Sequence, residues 1–384
     1  MNRKMHNNKV KKICHVQLLP IMSGVQRSMV EFLKKLDREA FEVYVICKEE
    51  GELTLALKEL SIRYIIVPSL VRPINPILDL VSLIQFFRIF KQHKFDLVHT
   101  HSSKTGFLGR IAARLTGINR VFHTVHGLPF HDFMNPIQAF AYSVMERIGA
   151  KSCSKIIFVN HEERRIAERK RIVPPKKAVT IYNGVDHRYL EEQCDQAVID
   201  NTRKELSLDI SDFVIGYFGR FWKQKDPITL LKIIQACQEL PVRFLLVGAG
   251  PYKKYFDHRL KNNDKVILTG WQSNPFRFYP LIDVLILPSL WEGLSMTLIE
   301  AMSFGKPLIA SNISGNRECI QNGENGFLCP PKDVRAFKEA IEKIMGNNEL
   351  YQQMSRRSKE LSRVFFDADK NNEILKRFYE NSYF

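Results

Sequence analysis

The 384-residue chain is 45% hydrophobic and 26% charged, a composition typical of a globular protein with room for two domains of ordinary size. It contains no apolar run of the ~18 residues that a membrane-spanning helix needs. Its seven cysteines are scattered and form no C-x-x-C pair, which indicates a reducing compartment and argues against a zinc site or a disulfide framework.

The net charge of +16 is unevenly distributed along the chain. Residues 1–190 hold 31 Lys and Arg against 16 Asp and Glu, whereas residues 191–384 hold 26 against 25. This asymmetry predicts that the first half faces an anionic surface, either phospholipid or nucleic acid. An ordinary solvated basic surface is the alternative.

The basic start of the chain, residues 1–12, leads into ICHVQLLPIM and has a weak likeness to a signal peptide. His15 and Gln17 interrupt its apolar run, and no small-residue cleavage site follows. We therefore interpret this segment as the first strand of the fold.

Strands and helices alternate through the first half. Strands joined by helices predict a parallel sheet with right-handed crossovers, and ligands gather at the carboxyl ends of such strands. The predicted strands are KICHVQLLP, FEVYVICK, RYIIVP, DLVHTH, RVFHTVH, KIIFVN and KAVTIYN. The Asn183-Gly184 pair is a turn signal, and the hydrophobic pattern lapses over His187 to Ser211, so the domain boundary is predicted there.

The alternation resumes at Phe213 and continues to a run of helices that ends near Tyr379. We predict a first domain of residues 1–190, a second of residues 191–364 and a C-terminal helical segment of residues 365–384. Both domains are expected to be α/β.

The stretch DVLILPSLWEGLSMTLIEAMSFGKPLIAS, residues 283–311, predicts a buried strand, a turn, a helix and a second strand. The helix start offers the backbone N–H groups of Gly293, Leu294, Ser295 and Met296 to an anion. Two carboxylates eight positions apart, those of Glu292 and Glu300, then suit a ligand with a central phosphate and hydroxyls at both ends, such as a nucleotide sugar. On spacing alone, a turn residue and a solvated helix residue explain the two glutamates equally well.

The pattern P-S-x-x-E-G-L-x-x-x-x-x-E-A-M-x-x-G-K-P, residues 288–307, resembles the motif of the retaining glycosyltransferases of family 4. The N-G-V-D at 183–186 and the G-R-x-x-x-x-K at 219–225 extend the resemblance to both halves. It implies the GT-B fold, which is α/β with two doubly wound Rossmann-like parallel-sheet domains and an interdomain cleft. The last helix of such enzymes crosses back to the first domain.

The resemblance also implies roles in the second domain. Glu292 is expected to contact hydroxyls of the transferred sugar and Glu300 the ribose. Arg220 and Lys225 would hold the diphosphate and stabilise it as it leaves, in place of a metal ion. Asp226 stands where the family usually has glycine, which puts the shape of that loop in question. The other implied donor-site residues are Gly248 and Gly250 beside the nucleotide, Trp271 facing the base, and the helix start Gly293, Leu294, Ser295 and Met296.

In the first domain, the resemblance places Gly24 beside the donor phosphates and His126 beside the transferred sugar. A neutral imidazole can hydrogen-bond a sugar hydroxyl and stabilise developing charge. His99, His101, His123 and His131 lie nearby in the sequence and raise the alternative of a metal site. Their spacing matches no known ligand set and no acidic residue is placed with them, so we predict no metal ligands.

Two segments of the first domain are candidates for a membrane surface. The run from Pro76 to Phe90 is apolar over much of a helix circumference and is followed by Lys91 and Lys94. The second segment is a basic run, and together the two would suit anionic lipid. A core helix and a solvated face are the alternatives. The basic run comprises Arg164, Arg165, Arg169, Lys170, Arg171, Lys176 and Lys177.

The segments HTHSSKTGFLGRIAARLTG and FHTVHGLPF resemble the branch of family 4 that builds bacterial capsule, exopolysaccharide or O-antigen. We therefore expect front-face, metal-independent and cofactor-free transfer of a hexose or N-acetylhexosamine from a nucleotide sugar, with UDP favoured over GDP. The expected acceptor is a glycan linked to a polyprenyl diphosphate. The protein is expected on the cytoplasmic side of the cell membrane, and nucleic acid is not expected as a partner. The alternatives are a sugar-nucleotide 2-epimerase of the same fold and a basic nucleic-acid-binding protein.

Overall fold

The computed structural model describes residues 10–130, 133–260 and 263–380. They form two compact units, one made of the residues up to Ile181 together with those from Asn372 onward, the other of Tyr182–Asn371. Each unit contains a parallel sheet with helices on both faces, as predicted. The division falls after Ile181, whereas the sequence placed it at residue 190. Residues 187–205, where the hydrophobic pattern lapses, form two polar helices of the second unit.

The first unit is built on a seven-stranded sheet of order β3-β2-β1-β4-β5-β6-β7, in which all neighbours pair in parallel. Its strands are β1 Lys11–Val16, β2 Phe41–Cys47, β3 Arg63–Ile66, β4 Leu97–His101, β5 Val121–Val125, β6 Lys155–Phe158 and β7 Ala178–Thr180. Its helices are α1 Gly24–Lys34, α2 Glu52–Glu59, α3 Pro76–His93, α4 Ser103–Leu115, α5 Pro136–Lys151 and α6 His161–Arg169.

Two apolar layers cover the faces of this sheet. Helices α3, α4 and α5 supply one layer, with Phe86, Leu108 and Ala150 buried in it. Helices α1 and α2 supply the other layer, which also receives Tyr379 from the last helix. Strands β4 and β5 are buried along their whole length, so their histidines lie inside the unit at the carboxyl edge of the sheet.

The second unit is built on a six-stranded parallel sheet of order β10-β9-β8-β11-β12-β13. Its strands are β8 Phe213–Phe218, β9 Val242–Val247, β10 Val266–Gly270, β11 Val284–Leu287, β12 Leu308–Ser311 and β13 Gly326–Cys329. Its helices are α7 His187–Glu192, α8 Gln196–Glu205, α9 Pro227–Ala236, α10 Lys253–Arg259, α11 Met296–Ser303, α12 Ser314–Arg317, α13 Val334–Met345 and α14 Asn348–Phe365. The last helix, α15 Ala368–Glu380, begins in this unit, and its residues from Asn372 onward belong to the first.

The strand order places β8 and β11 side by side at the centre of the second sheet. From β8 the next strands along the chain are added towards one edge of the sheet, and from β11 they are added towards the other edge. Ligands of doubly wound sheets bind outside the carboxyl ends of the strands at this reversal. The loops after β8 and β11 carry the Arg220, Lys225 and Glu292 of the sequence motifs.

Some predicted features fall outside the described residues, namely the basic start up to Lys9, His131 and the end of the chain from Asn381. All seven cysteines are free thiols. Among the described helices, none has the length and apolar character to cross a membrane.

Candidate active site

The start of α11 is the centre of the candidate site. Strand β11 ends at Leu287, and the chain turns through residues 288–294 before Ser295 takes the N-cap position of the helix. The Ser295 hydroxyl does not cap the helix, and its buried Oγ has no hydrogen-bond partner among the described residues. A helix start carries partial positive charge from its N–H groups, so this end of α11 combines a hydroxyl without a partner with an anion-binding backbone.

The Glu292 carboxylate is buried at the entrance to this helix and has three neighbours. Its Oε1 lies 2.7 Å from Lys225 Nζ and accepts a 2.8 Å hydrogen bond from Ser289 Oγ. Its Oε2 accepts a 3.3 Å hydrogen bond from Gln224 Nε2. Glu292 lies in the turn before α11, and three side chains hold its carboxylate in place.

Gln224 joins the two loops that carry this ion pair. The side-chain amide of Gln224 donates to the Trp291 carbonyl at 3.0 Å, and the backbone carbonyl of Gln224 accepts from the Leu290 N–H at 2.8 Å. Sequence reasoning missed Gln224, because it lies at a position that the motif of residues 219–225 leaves open. Ser289 is a fixed residue of the motif at 288–307, but it was not selected as a site residue.

The loop after β8 positions two cations. Lys225 Cε lies 3.5 Å from the point where a Cβ on Gly219 would stand, so the lysine side chain runs beside the glycine that precedes Arg220. The Arg220 carbonyl accepts a 3.1 Å hydrogen bond from the hydroxyl of Tyr217. Burial, together with the nearby Glu292 carboxylate, raises the pKa of Tyr217, which keeps this hydroxyl a donor. The Arg220 side chain is exposed and pairs with no described residue.

Asp226 explains how this chain manages without the glycine usual at its position. Its backbone is left-handed, with φ of 45° and ψ of 60°, a conformation that Asp adopts more readily than most non-glycine residues. Its carboxylate accepts from Thr229 N at 3.2 Å and Thr229 Oγ1 at 2.6 Å, which caps α9, and Pro227 occupies the first turn. The loop therefore turns as a glycine would let it turn, with a cap added.

The G-x-G loop after β9 packs against the Arg220 loop. A Cβ on Gly248, whose φ is +146°, would stand 2.0 Å from the Gly219 carbonyl oxygen. A Cβ on Gly250, whose φ is +156°, would stand 2.5 Å from the Phe221 carbonyl oxygen. Both glycines are thus required by loop packing, which is a reason independent of any ligand.

Glu300 lies in the second turn of α11 and is buried. Its Oε2 accepts a 2.5 Å hydrogen bond from the hydroxyl of Tyr279, a residue that the sequence analysis did not select. The Tyr279 ring is stacked between Phe218, at 4.1 Å, and Phe304, at 5.4 Å. The carboxylate therefore has a rigid support, and the solvated-helix alternative for Glu300 is wrong.

Two further contacts complete this end of the second sheet. A Cβ on Gly315 would stand 2.6 Å from the carbonyl oxygens of both Glu292 and Gly293, so α12 packs directly on the Glu292 turn. Trp271 follows β10 at the carboxyl edge, and 61% of its surface is exposed. Its indole is therefore free to stack on a planar group.

In the first unit, Gly24 and His126 both follow strands at the carboxyl edge of the sheet. Gly24 is the first residue of α1, with Ser23 at the N-cap. His126 comes directly after β5, and its buried Nδ1 has no partner among the described residues. Burial lowers the pKa of His126 to about 4, so its ring is neutral near pH 7.

The histidines near His126 form a buried cluster that sequence spacing did not reveal. His15 from β1 and His99 and His101 from β4 place one ring nitrogen each within 4.8 Å of one another. The His101 ring lies against His126, with centroids 5.3 Å apart. His15 was missed because it lies over eighty residues from His99, and only the parallel pairing of β1 with β4 brings the two side by side.

Two doubly wound parallel-sheet units, one with acidic, basic and helix-start groups gathered at its topological switch point, have the architecture of the GT-B class. Comparison with known proteins gives the family. The family model for glycosyl transferases group 1 matches residues 198–361, and the model for glycosyltransferase family 4 matches residues 22–189. An Escherichia coli UDP-Gal:α-D-GlcNAc-diphosphoundecaprenol α-1,3-galactosyltransferase is 38% identical over 87% of this chain and 87% of its own length. The chain belongs to glycosyltransferase family 4.

Other relatives and structures agree with this assignment. The capsular polysaccharide biosynthesis glycosyltransferase CapM of Staphylococcus aureus is 27% identical over 89% of this chain and 90% of its own length. The crystal structure of Anabaena HepE in complex with UDP-glucose superposes with a TM-score of 0.80, covering 96% of this chain and 99% of that chain at 18% identity. The predicted GT-B fold and the glycosyltransferase assignment are confirmed.

Proposed function

We propose that the protein transfers a hexose from a UDP-sugar, with retention of the anomeric configuration, to a sugar linked to a polyprenyl diphosphate. The observation that carries this proposal is the Lys225–Glu292 pair, partly buried at Lys225 and buried at Glu292, with charged atoms 2.7 Å apart. It lies beside the start of α11, where the Ser295 hydroxyl has no partner among the described residues. A cation and a helix start suit the diphosphate, and the adjoining carboxylate suits the hydroxyls of the attached sugar.

Each donor contact has a candidate residue. Lys225 and the exposed Arg220 bind the diphosphate oxygens, and the α11 start with Ser295 Oγ adds further donors. Glu300, held by the hydroxyl of Tyr279 at 2.5 Å, accepts from the ribose hydroxyls. Trp271 stacks on the base. Gly248 and Gly250 act by holding the Arg220 loop in place.

Because these cations neutralise the leaving diphosphate, we propose that transfer is independent of metal ions and of any cofactor. In front-face displacement, the bond from the anomeric carbon to the phosphate oxygen breaks as the acceptor oxygen approaches from the same face. The acceptor hydroxyl proton moves to the departing phosphate. His126 hydrogen-bonds a sugar hydroxyl near the reacting carbon, and Gly24 lets the backbone approach the phosphates.

The acceptor and donor follow from the E. coli relative, whose name specifies UDP-galactose and GlcNAc-diphosphoundecaprenol. We propose UDP-galactose and a GlcNAc-diphospholipid as the first substrates to test. With an α-linked UDP-sugar as donor, an α-linked product is the product of retention. Formation of a disaccharide-diphospholipid, measured by mass spectrometry, with the anomeric configuration assigned by NMR, tests the proposal.

Three outcomes of that assay would contradict parts of the proposal. An epimer formed from the UDP-sugar alone, with no acceptor added, would indicate a 2-epimerase. A β-linked product would exclude retention, and activity lost on EDTA treatment and restored by Mg²⁺ or Mn²⁺ would exclude metal independence.

We further propose that the first unit binds the inner face of the cell membrane through α3 and α5. Helix α3 exposes Ile77, Leu80 and Ile84 in its first half, and α5 exposes Ile137 and Phe140 in its first two turns. Both helix starts lie at the carboxyl edge of the sheet, where His126 also lies. Exposed apolar side chains at helical spacing, next to the edge that carries the site, suit an interfacial helix.

The basic residues of α3 continue this surface, whereas the part of the basic run from Arg169 onward does not. Arg88 and Lys91 follow the exposed apolar residues along the same helix stripe. Residues 169–177, by contrast, lead into β7 and so lie at the amino edge of the sheet. Within that run, Arg164 pairs with Glu168 at 2.9 Å, and Lys177 donates to the Ala150 carbonyl at 3.0 Å.

Cosedimentation with vesicles of phosphatidylglycerol and phosphatidylcholine tests the membrane proposal. Ile77→Gln and Phe140→Gln should each reduce the bound fraction at physiological salt. Ile210→Gln is the matched control, since Ile210 is 91% exposed in the second unit. Equal binding by all three variants, or no binding at low salt, would contradict the proposal.

A further inference from the structure

Four side chains in the first unit, three of them buried and His126 partly buried, form a continuous hydrogen-bonded chain that ends at His126. The hydroxyl of Tyr379 lies 3.2 Å from His15 Nε2. His15 Nδ1 lies 3.1 Å from His101 Nε2, and His101 Nδ1 lies 3.0 Å from His126 Nε2. The remaining nitrogen, His126 Nδ1, is the buried atom that has no partner among the described residues.

Each ring in this chain carries one ring proton. Burial lowers the pKa of His15 to about 3 and that of His126 to about 4, and it places the pKa of His101 well below its ordinary value. Burial also raises the pKa of Tyr379, so its hydroxyl keeps its proton. A neutral imidazole donates from one nitrogen and accepts at the other, so the direction of one hydrogen bond fixes the direction of the next.

Only two arrangements satisfy every link. If the Tyr379 hydroxyl donates to His15 Nε2, then His15, His101 and His126 are all protonated on Nδ1. His126 then offers an N–H donor at its free end. If His15 donates to the Tyr379 oxygen instead, all three rings are protonated on Nε2, and His126 offers an acceptor.

His99 closes the far end of the chain. The Tyr379 hydroxyl also bonds His99 Nδ1, and His99 Nε2 lies 2.7 Å from Thr124 Oγ1. A hydroxyl donates one hydrogen bond, so Tyr379 donates to His15 or to His99 and accepts from the other ring. The orientation of this one hydroxyl therefore selects between the two arrangements.

We propose that Tyr379, His15 and His101 are positioning residues for His126. The Tyr379 hydroxyl sets the tautomer of His15, and His101 and His126 adopt the same tautomer through the hydrogen bonds between the rings. The tautomer of His126 then decides whether its Nδ1 donates to or accepts from the ligand. In taking that ligand to be a hydroxyl of the transferred sugar, the inference rests on the proposed function. A sugar hydroxyl bonded at Nδ1 extends the chain by one link, and its direction is coupled to that of the tyrosine hydroxyl.

The same cluster has ring nitrogens close enough to hold a metal ion, at His15, His99 and His101. Two observations favour the hydrogen-bonded chain. Both ring nitrogens of His15 and of His101 already lie 3.0–3.2 Å from a protein partner. The group contains no carboxylate, and an ion would add positive charge to a buried region in which burial already disfavours charged histidines.

Nitrogen-15 NMR of the full-length protein with labelled histidine tests the inference, because the shift of each ring nitrogen reports whether it is protonated. We expect His15, His101 and His126 to show one common tautomer, or one common averaged population. Tyr379→Phe keeps the packed ring and removes only the hydroxyl, and it should change the tautomer population at all three rings. Tyr44→Phe is the matched control, since the Tyr44 hydroxyl bonds Glu42 and Arg63 in the same unit.

His123 is an internal control, because its Nδ1 bonds Thr100 Oγ1 at 2.9 Å outside the chain. Different tautomers among the three linked rings in the wild-type protein would overturn the inference. So would a Tyr379→Phe protein in which His15 changes and His126 does not, or stoichiometric zinc bound at the cluster after dialysis against Zn²⁺.

Kinetics separate this inference from the proposed function. Tyr379→Phe should lower the kcat of sugar transfer several-fold and leave the Kd for UDP unchanged, because Tyr379 is not among the proposed UDP contacts. Absence of transfer by the wild-type protein with any UDP-sugar would refute the proposed function alone, since the NMR result stands without a substrate. An unchanged kcat together with altered tautomers would refute the positioning role.

Discussion

The two partners of the Lys225–Glu292 pair should have opposite effects on nucleotide binding. Their charged atoms are 2.7 Å apart, and their side chains are only 15% and 8% exposed. Lys225→Met removes a cation that is proposed to bind the diphosphate. Glu292→Gln keeps the shape of its side chain, removes a competitor for Lys225 and removes a negative charge near an anionic ligand.

The magnitude follows from the kind of bond. A hydrogen bond to a charged group contributes about 1.5–3 kcal/mol, and 1.4 kcal/mol corresponds to a factor of about ten in Kd. Lys225→Met should therefore weaken UDP binding by roughly ten- to a hundredfold. Glu292→Gln should leave UDP binding unchanged or tighten it by up to about tenfold, while kcat/KM for transfer falls because the proposed sugar contact is lost.

Isothermal titration calorimetry with UDP, at one fixed salt concentration, measures both effects. UDP is the right probe because it lacks the sugar and so isolates the diphosphate contacts. Lys253→Met is the matched control, since Lys253 and Asp257 form an exposed pair of similar length, 2.6 Å, in the same unit. The reasoning is refuted if Glu292→Gln weakens UDP binding tenfold or more, or if Lys225→Met binds UDP like the wild-type protein.

Four further outcomes are expected. Asp226→Ala should lower the free energy of unfolding of the second unit by about 2–4 kcal/mol, because the alanine is strained in a left-handed conformation and the cap is lost, whereas Asp226→Gly should lower it by only about 1 kcal/mol. Urea unfolding followed by tryptophan fluorescence measures both losses, since all three tryptophans lie in the second unit. Equal losses for the two variants would contradict this prediction. Gly248→Ala should displace the Arg220 loop and abolish measurable UDP binding, because its Cβ would stand 2.0 Å from a carbonyl oxygen; UDP binding within threefold of wild type would contradict this. Tyr279→Phe should weaken UDP binding about fivefold through a loosened Glu300, without affecting vesicle binding. The first unit should lose stability as pH falls from 7 to 5, since its buried histidines have lowered pKa values and the unfolded chain binds more protons below about pH 6.5. The free energy of unfolding should fall by about 1.4 kcal/mol per pH unit for each fully titrating histidine. A free energy of unfolding that does not change with pH over this range would contradict the prediction.

The sheets were predictable because their strands are apolar on both faces and are separated by helical spacing. Every strand predicted in the first half is present, and so are the strand, helix and strand of residues 283–311. The domain boundary was less predictable. Residues 187–205 are polar and read as a lapse in the pattern, yet they form α7 and α8, and α8 packs on the segment of residues 276–281 through a 2.9 Å Arg277–Glu205 pair.

Within the site, charged motif residues were predictable and their supports were not. Glu292 and Lys225 stand at fixed positions of short motifs, so a resemblance selects them. Gln224 contacts Glu292, and Tyr279 contacts Glu300, both from positions that carry no pattern. Tyr379 reaches the histidine cluster from the far end of the chain. Such contacts depend on which strands lie side by side, which local spacing does not contain.

The loop glycines explain why short sequence motifs are enough to indicate the backbone geometry of the site. Gly248 and Gly250 let the loop after β9 meet the backbone around Arg220, and Gly315 lets α12 meet the backbone around Glu292. The backbone beside Arg220 and the backbone at Glu292 are therefore each approached by a glycine of a neighbouring loop at a distance that no side chain tolerates. Asp226 shows the limit of this argument, because a residue other than glycine can take the left-handed turn where its side chain caps the next helix. The site therefore requires a particular backbone conformation in these loops. Any residue type that can adopt that conformation is compatible with it.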